Sequence, residues 1–271
     1  MPWLPEIEIL KKKLKKEFTG KKILSVEFYK ESEYYPQVRL LEYELTNKHI
    51  LNITRKGKYL IFSLEGGNNL IVDLKVTGIL RYFSEKLSIN SYTPMILEID
   101  NGYLCLQNLG LRYVSSIPTM QLKNNQIFRN LGIDPLSNEY NIEIFYKATN
   151  KRTGMLKTNL LDPSYITGLG NYYVDEILFL AKFHPKKEIS KLNRLEIEAL
   201  YSSINKILNE SINVRGSSRE GFCYLDGSRG SFQNNFNIYD KEGKPCPICR
   251  KNIKRIFIGG RGTYICENCQ K

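Results

Sequence analysis

Apolar residues open the chain at helical spacing. Ile7, Leu10, Leu14 and Phe18 fall on one face, and Lys11, Lys12, Lys13, Lys15 and Lys16 lie on the other. From about residue 22 the period changes. The runs Ile23 to Tyr29, Arg39 to Leu45, His49 to Thr54 and Tyr59 to Leu64 are short and rich in β-branched or aromatic residues, which predicts strands. Glu65-Gly66-Gly67-Asn68 and Asp100-Asn101-Gly102-Tyr103 read as hairpin turns, the second with a type I′ signal. Repeated hairpins predict an antiparallel β-sandwich. Residues 118–140 are polar and irregular and read as a linker. Helical spacing then returns. Val174, Ile177, Leu178 and Ala181 share a face behind Asn171, a good N-cap, with Asp175 and Glu176 in the first turn. Leu200, Ile204 and Ile207 mark a second helix, and Gly216 to about Phe232 reads as a mobile, glycine- and serine-rich loop. The pattern is α+β: a helix and antiparallel sandwich over 1–117, the linker 118–140, a helical lobe over 141–238 and a small unit over 239–271.

That last unit carries chemistry. Cys246-Pro-Ile-Cys249 and Cys266-Glu-Asn-Cys269 are two Cys-x-x-Cys pairs at the spacing of a four-thiolate zinc ribbon. Four thiolates close a tetrahedral site with no open position, so the expected cofactor is one structural zinc ion. Two disulfides or four idle thiols are the other readings. Disulfides are disfavoured because no signal peptide opens the sequence, and a reducing, cytoplasmic location is expected. Between the pairs, Gly259-Gly260-Arg261-Gly262 is a turn that thrusts one arginine outward from a hairpin, as phosphate contact requires.

Charge narrows the partner. The chain has 40 Lys+Arg against 28 Asp+Glu, a formal net charge of +12, which implies nucleic acid or an anionic membrane surface. No run of eighteen apolar residues is present, so no membrane span is expected. Histidine acid–base chemistry is not expected, since only His49 and His184 occur. Three further stretches could do chemistry or could be plain structure. Met1-Pro2-Trp3-Leu4-Pro5-Glu6 would expose the α-amine of Pro2 once Met1 is trimmed, and such an amine, with an ordinary pKa near ~8, is partly neutral and nucleophilic. The same prolines could simply shape a helix entrance. Thr54-Arg55-Lys56-Gly57-Lys58-Tyr59 sets three cations on a hairpin, for solubility or for a phosphate. Gly168-Leu169-Gly170-Asn171 precedes a helix N-terminus and could approach a phosphate, or could be an ordinary helical corner.

Taken together, these stretches resemble the formamidopyrimidine-DNA glycosylase / endonuclease VIII family over nearly the whole chain. The residues that carry the likeness are Met1-Pro2-x-Leu4-Pro5-Glu6, Lys56-Gly57-Lys58-Tyr59, Lys157-x-x-Leu160-Leu161-Asp162, Gly168-Leu169-Gly170-Asn171-Tyr172-Tyr173-x-Asp175-Glu176, and the ribbon with Gly260-Arg261-Gly262-Thr263. The resemblance implies a two-lobed monomer, with a helix–two-turns–helix motif in the second lobe and double-stranded DNA, damaged or abasic, in the cleft between the lobes. It implies that Pro2 attacks C1′ of a flipped nucleotide, that Lys58 assists and contacts phosphate, and that Glu6 orders the N-terminus. It further implies that Arg152, Lys157, Asn171 and Arg261 contact DNA, Arg261 also serving the elimination step.

Departures from the family pattern are informative. Trp3 stands where the family usually has a glutamate that donates a proton during base excision, so that role is vacant and Trp3 becomes a candidate for specificity. Asp73-Leu74-Lys75-Val76-Thr77-Gly78 puts Val76 where a methionine wedge is usual, and Asn108-Leu109-Gly110-Leu111-Arg112-Tyr113 lacks the usual void-filling arginine and phenylalanine. Val76, Leu111, Arg112 and Tyr113 are the candidate replacements. Three functions compete: a DNA glycosylase with AP lyase activity, an abasic-site lyase or damage binder that cannot remove a base, and a non-catalytic zinc-ribbon DNA-binding protein. With the acid missing, abasic-site cleavage is expected to survive and base excision to be weak.

Overall fold

The structure, a computed structural model, describes residues 2–29 and 37–271. The chain divides into two compact units, Met1–Arg129 with Arg215–Ser231, and Asn130–Val214 with Phe232–Lys271.

In the first unit α1 (Leu4–Phe18) buries Leu4, Ile7, Leu10, Leu14 and Phe18 completely. Its start is unusual. Trp3 is the N-cap, and an indole has no oxygen to accept from the first-turn N–H groups. Only the return half of a capping box forms: Glu6 Oε2 accepts from the Trp3 N–H at 2.8 Å. After β1 (Ile23–Phe28) comes α2 (Gln37–Leu45), where a strand was expected for Arg39 to Leu45. The buried residues decide it: Val38, Leu41 and Leu45 follow helical spacing while Leu40 and Tyr43 face solvent.

Then β2 (Ile50–Lys56), β3 (Tyr59–Leu64), β4 (Asn68–Asp73), β5 (Ile79–Phe83), β6 (Met95–Ile99), β7 (Gly102–Gln107) and β8 (Val114–Pro118) complete two antiparallel sheets, ordered β1-β6-β7-β5 and β2-β3-β4-β8. One hydrophobic cluster joins them, with Ile23, Leu97 and Leu104 from one sheet and Ile53, Phe62 and Leu70 from the other. This is the expected sandwich. The β6–β7 turn is not type I′, because positive φ occurs at Asn101 (70°) and not at Asp100. Two short helices, α3 (Thr119–Leu122) and α4 (Gln126–Arg129), occupy part of the expected linker.

The loop from Gly216 to about Phe232, expected to be mobile, is packed into the first unit over Arg215–Ser231. Phe222, Tyr224 and Leu225 are buried in its core, Leu225 O accepts from Tyr82 N at 3.0 Å, and Asp226 pairs with Lys13 at 3.2 Å.

The second unit holds α5 (Ile142–Thr149), α6 (Leu156–Leu160), α7 (Asn171–Leu180), α8 (Arg194–Asn213) and the hairpin β9 (Lys254–Ile258)–β10 (Arg261–Ile265). The long α8 is started by a complete capping box, Asn193 with Glu196, and packs on α5 and α7. Among the described residues, no helix is long and apolar enough to cross a membrane. The architecture is α+β, as expected.

Candidate functional site

In the first unit the chemistry collects around the start of α1. Pro2 is buried, Trp3 is half-buried, and Glu6 is fully buried. Glu6 uses both carboxylate oxygens on backbone donors: Oε2 takes the Trp3 N–H, and Oε1 takes the Ser217 N–H at 2.7 Å. Gly216 makes this approach possible. It has φ 67°, and a Cβ there would sit 2.7 Å from Glu6 Oε1. Glu6 therefore ties the N-terminus to the returning segment.

The hairpin cations have separate fates. Lys56 pairs with Tyr59 across the β2–β3 turn, leaving Gly57 (φ 55°) and Lys58 as its two-residue loop. Arg55, 5% exposed, is anchored to Glu8 of α1 at 2.5 Å, and Glu8 also holds Lys11 at 2.7 Å. The Lys56 ammonium lies over the Phe128 ring. Lys58 Nζ lies over the Trp3 ring, 4.5 Å from its centroid, a cation–π contact. Burial pulls the Lys58 ammonium below the ordinary lysine range; Asp73 acts in the opposite sense and Lys75 reinforces burial. The Trp3 indole N–H is buried and has no acceptor among the described residues.

The candidate wedge residues separate by burial. Leu111 is 1% exposed, packed in the core, and cannot enter a base stack. Val76 is 53% exposed on the turn after β4. Arg112 is exposed and stacks on the half-buried Tyr113 ring at 4.9 Å, while the Lys75 ammonium lies 5.0 Å from the same ring. Cation, ring and cation thus form one patch.

In the second unit the four cysteine sulfurs lie within 4.8 Å of one another. Cys246 and Cys269 are 3.8 Å apart and Cys249 and Cys266 3.4 Å, and all four are free thiols. A disulfide needs about 2.05 Å. A tetrahedron with Zn–S bonds of about 2.3 Å has edges of about 3.8 Å, so the four thiolates fit one structural zinc. Gln270 braces the second knuckle, accepting from Cys266 N at 2.9 Å and donating to Phe183 O at 3.0 Å.

The hairpin carried by that knuckle turns at Gly259 (φ 54°) and Gly260 (φ 72°), the two positive φ values of a type I′ turn, and Arg261 stands exposed just beyond. The hairpin is locked to α6 and α7. Gly262 O accepts from Lys157 Nζ at 3.2 Å and from Asn171 Nδ2 at 2.9 Å, and Asp175 Oδ2 accepts from Tyr264 N at 3.0 Å. Lys157, expected on the DNA-contacting surface, is instead 0% exposed and paired with Asp175 at 2.5 Å. Burial lowers the Lys157 pKa and raises that of Asp175 to about 6, each against the attraction of its partner.

Asn171 is the first residue of α7, not its cap, which is Gly170; its amide is half-exposed, and its Oδ1 is buried without a partner among the described residues. Arg152 is half-buried, bonded to Asn159 at 2.8 Å and paired with Asp162. Glu176 accepts from the N–H groups of Asn237, Ile238 and Tyr239. Sequence reading put Asp175 and Glu176 on the helix dipole; their structural work as anchors was visible only as two acids in an otherwise apolar stretch.

A basic chain that offers cations from two units, one of them steadied by a closed thiolate cluster, is a nucleic-acid-binding protein of the zinc-ribbon class. Its sequence matches the models for the formamidopyrimidine-DNA glycosylase N-terminal domain over residues 1–114, the formamidopyrimidine-DNA glycosylase H2TH domain over 131–222, and the zinc finger found in FPG and IleRS over 243–271. A formamidopyrimidine-DNA glycosylase of Desulforamulus reducens is 32% identical, with 100% of this chain and 99% of that protein covered. Among solved structures, wild-type Lactococcus lactis Fpg (MutM) with DNA containing N7-benzyl-Fapy-dG is 33% identical, with a TM-score of 0.88 and both chains covered completely. The complex of Lactococcus lactis Fpg with DNA containing an abasic site is also 33% identical at a TM-score of 0.88, covering 99% of each chain. The chain belongs to the formamidopyrimidine-DNA glycosylase family.

Proposed function

We propose that this protein is a DNA repair glycosylase with AP lyase activity, acting as a monomer on duplex DNA that carries a damaged base or an abasic site. It would work in the cytoplasm, where its thiols stay reduced. The observation that carries the reading is the Pro2–Trp3–Glu6 start of α1: a proline two residues before a helix whose N-terminus is pinned from inside by a buried carboxylate. Such pinning holds the Pro2 amine, freed by removal of Met1, in one place for attack. The Pro2 nitrogen bonds to C1′ of the flipped nucleotide and the base leaves. Opening of the sugar ring at O4′ gives an iminium, loss of a C2′ proton then expels the 3′ phosphate, and water releases Pro2. Arg261, Arg152 and Asn171 hold phosphates around the lesion, and zinc keeps the Arg261 hairpin rigid. Arg112 and Tyr113, with Val76, fill the vacated stack.

A second reading, cleavage of abasic sites without base removal, rests on Trp3, which offers no carboxyl, and on Glu6, whose two oxygens are already engaged. Both readings share the Pro2 amine. Borohydride trapping on abasic duplex tests it: the processed protein should give a covalent adduct, and an N-terminal extension should abolish it. An extended protein that traps equally well would remove Pro2 from the mechanism.

A further inference from the structure

We propose that the outer face of α5 is a docking site for an acidic peptide segment of a partner protein, one that carries a bulky apolar side chain between its carboxylates. The inference stands apart from the reading above, since none of the Pro2 chemistry enters it.

The site is a cleft of about 400 Å³ in the second unit. Ile144, Lys147, Ala148 and Lys151 recur at the i, i+3, i+4 and i+7 spacing along α5 and its C-terminal turn, so one stripe of the helix makes one wall. The opposite stripe is occupied: Phe145 and Thr149 are fully buried, and the Phe145 ring packs on Tyr201 of α8. Across the cleft runs the extended Gly132–Ile133 segment, fixed by bonds from Gly132 N to Pro163 O at 2.8 Å and from Ile133 N to Tyr165 O at 2.9 Å. Tyr165 also lines the space, and its hydroxyl is taken up by Thr149 Oγ1 at 2.6 Å. Both walls are held by their own backbone hydrogen bonds, so a guest meets a preformed shape and binding costs little ordering.

The charges at the rim are uneven. Arg152 is committed inward, bonded to Asn159 at 2.8 Å, paired with Asp162 and lying over the Tyr165 ring. Glu143, at the start of α5, is held by Arg194 of α8 at 2.6 Å. Lys147 and Lys151 are exposed and have no carboxylate partner among the described residues. Like charges four residues apart on a helix repel each other, and an anionic partner relieves that repulsion.

The occupant follows from the two features together. A cleft of this volume lies in the range of about 300–1,000 Å³ that holds small guests, so it has room for a large side chain but not for a folded surface. A duplex backbone would bring charge to the lysines but no apolar group to place between Ile133, Ile144 and Ala148. An acidic segment brings both: carboxylates for Lys147 and Lys151, and a phenylalanine or leucine side chain that covers Ile144, now 40% exposed.

The test uses the full zinc-loaded chain and a fluorescein-labelled peptide of aspartates around one central phenylalanine. Its counterpart with alanine in place of phenylalanine should bind about ten- to a hundredfold more weakly, the worth of burying one large apolar side chain. Lys147→Ala with Lys151→Ala should weaken the phenylalanine peptide by about tenfold and reduce its salt dependence. Ala148→Phe fills the cleft from the helix side and should abolish peptide binding. Both variants should hold affinity for abasic duplex within a few-fold of wild type and keep the wild-type circular dichroism spectrum. On titration the methyl NMR signals of Ile133 and Ile144 should shift, and that of Ile204, buried on α8, should not. Equal binding of the phenylalanine and alanine peptides would reduce the site to bare charge and overturn the proposal. Displacement of the peptide by undamaged duplex at matched ionic strength would assign the cleft to DNA and overturn it too, as would no binding up to millimolar peptide.

Discussion

Two lysines invite comparison. Lys58 in the first unit and Lys157 in the second both sit in motifs shared with the family, and burial lowers the pKa of both. Lys157 is completely enclosed and has a carboxylate partner at 2.5 Å and a carbonyl at 3.2 Å. Lys58 is half-buried, and its closest described aromatic neighbour is an indole face. An ammonium satisfied by a carboxylate and a carbonyl has its hydrogen-bonding capacity committed inward and serves as a strut. An indole face holds a cation through its ring electrons, without the enclosure of a buried ion pair. The same residue type thus supports the Arg261 hairpin in one unit and lies over the Trp3 indole at the start of α1 in the other.

The largest test acts on the platform that Lys157 supports. Purified protein should hold about one zinc per chain, because four thiolates close one site. Chelation, or Cys249→Ser, should remove on the order of 10 kcal/mol of metal-derived stability from the ribbon. DNA affinity should then collapse while the β-sandwich keeps its circular dichroism signal, since its core is separate. Metal analysis finding no zinc would break the comparison at its base.

Next in size is the strut itself. Lys157→Met should destabilise the second unit by about 3–5 kcal/mol, because Asp175 is left buried and unpaired. Lys157→Met with Asp175→Leu should recover most of that, whereas Lys58→Met should move stability by no more than about 1 kcal/mol. The pH dependence sharpens the contrast. Burial raises Asp175 to about 6 in the folded protein, above its unfolded value of about 3.9. A raised carboxyl binds its proton more tightly when folded, so its contribution favours folding at low pH and is lost as pH rises through that window. Acidification should therefore narrow the gap between Lys157→Met and wild type in urea melts. A gap independent of pH would show that the pair is not what Lys157→Met disrupts.

The smallest effect belongs to the exposed tip. Arg261→Ala should leave stability unchanged and flatten the salt dependence of DNA affinity by about 0.9 in log–log slope, the loss of one phosphate contact. An unchanged slope would take Arg261 off the DNA surface and leave the strut with nothing to position.

Parts of this were legible in the residues and parts were not, for identifiable reasons. Zinc ligation was readable because each pair of ligands is three residues apart and local geometry nearly makes the site. The α1 face was readable for the same reason, through its 3.6-residue period. Residues Arg39 to Leu45 were misread as a strand because residue type was weighed above spacing, although Val38, Leu41 and Leu45 carry the helical period plainly. The loop from Gly216 to about Phe232 looked mobile because glycine and serine dominate its beginning, yet Phe222, Tyr224 and Leu225 find buried places on a unit encoded far earlier in the chain. Leu111 was a candidate wedge by its place in the Asn108–Tyr113 loop, and the structure puts it in the core.

By itself the sequence determined the family, the zinc ligands, the α+β class and the cations that could meet DNA, because each depends on residues close together along the chain or on the chain's total charge. Tertiary structure alone decided which polar groups are committed. Glu6 meets Ser217 across 211 residues and Lys157 meets Gly262 across 105, and no local pattern encodes such pairings. Those meetings fix whether a carboxylate can still give a proton and whether an ammonium can still reach a phosphate. Burial and hydrogen-bond partners set both, and in this fold the decisive partners are distant in the chain.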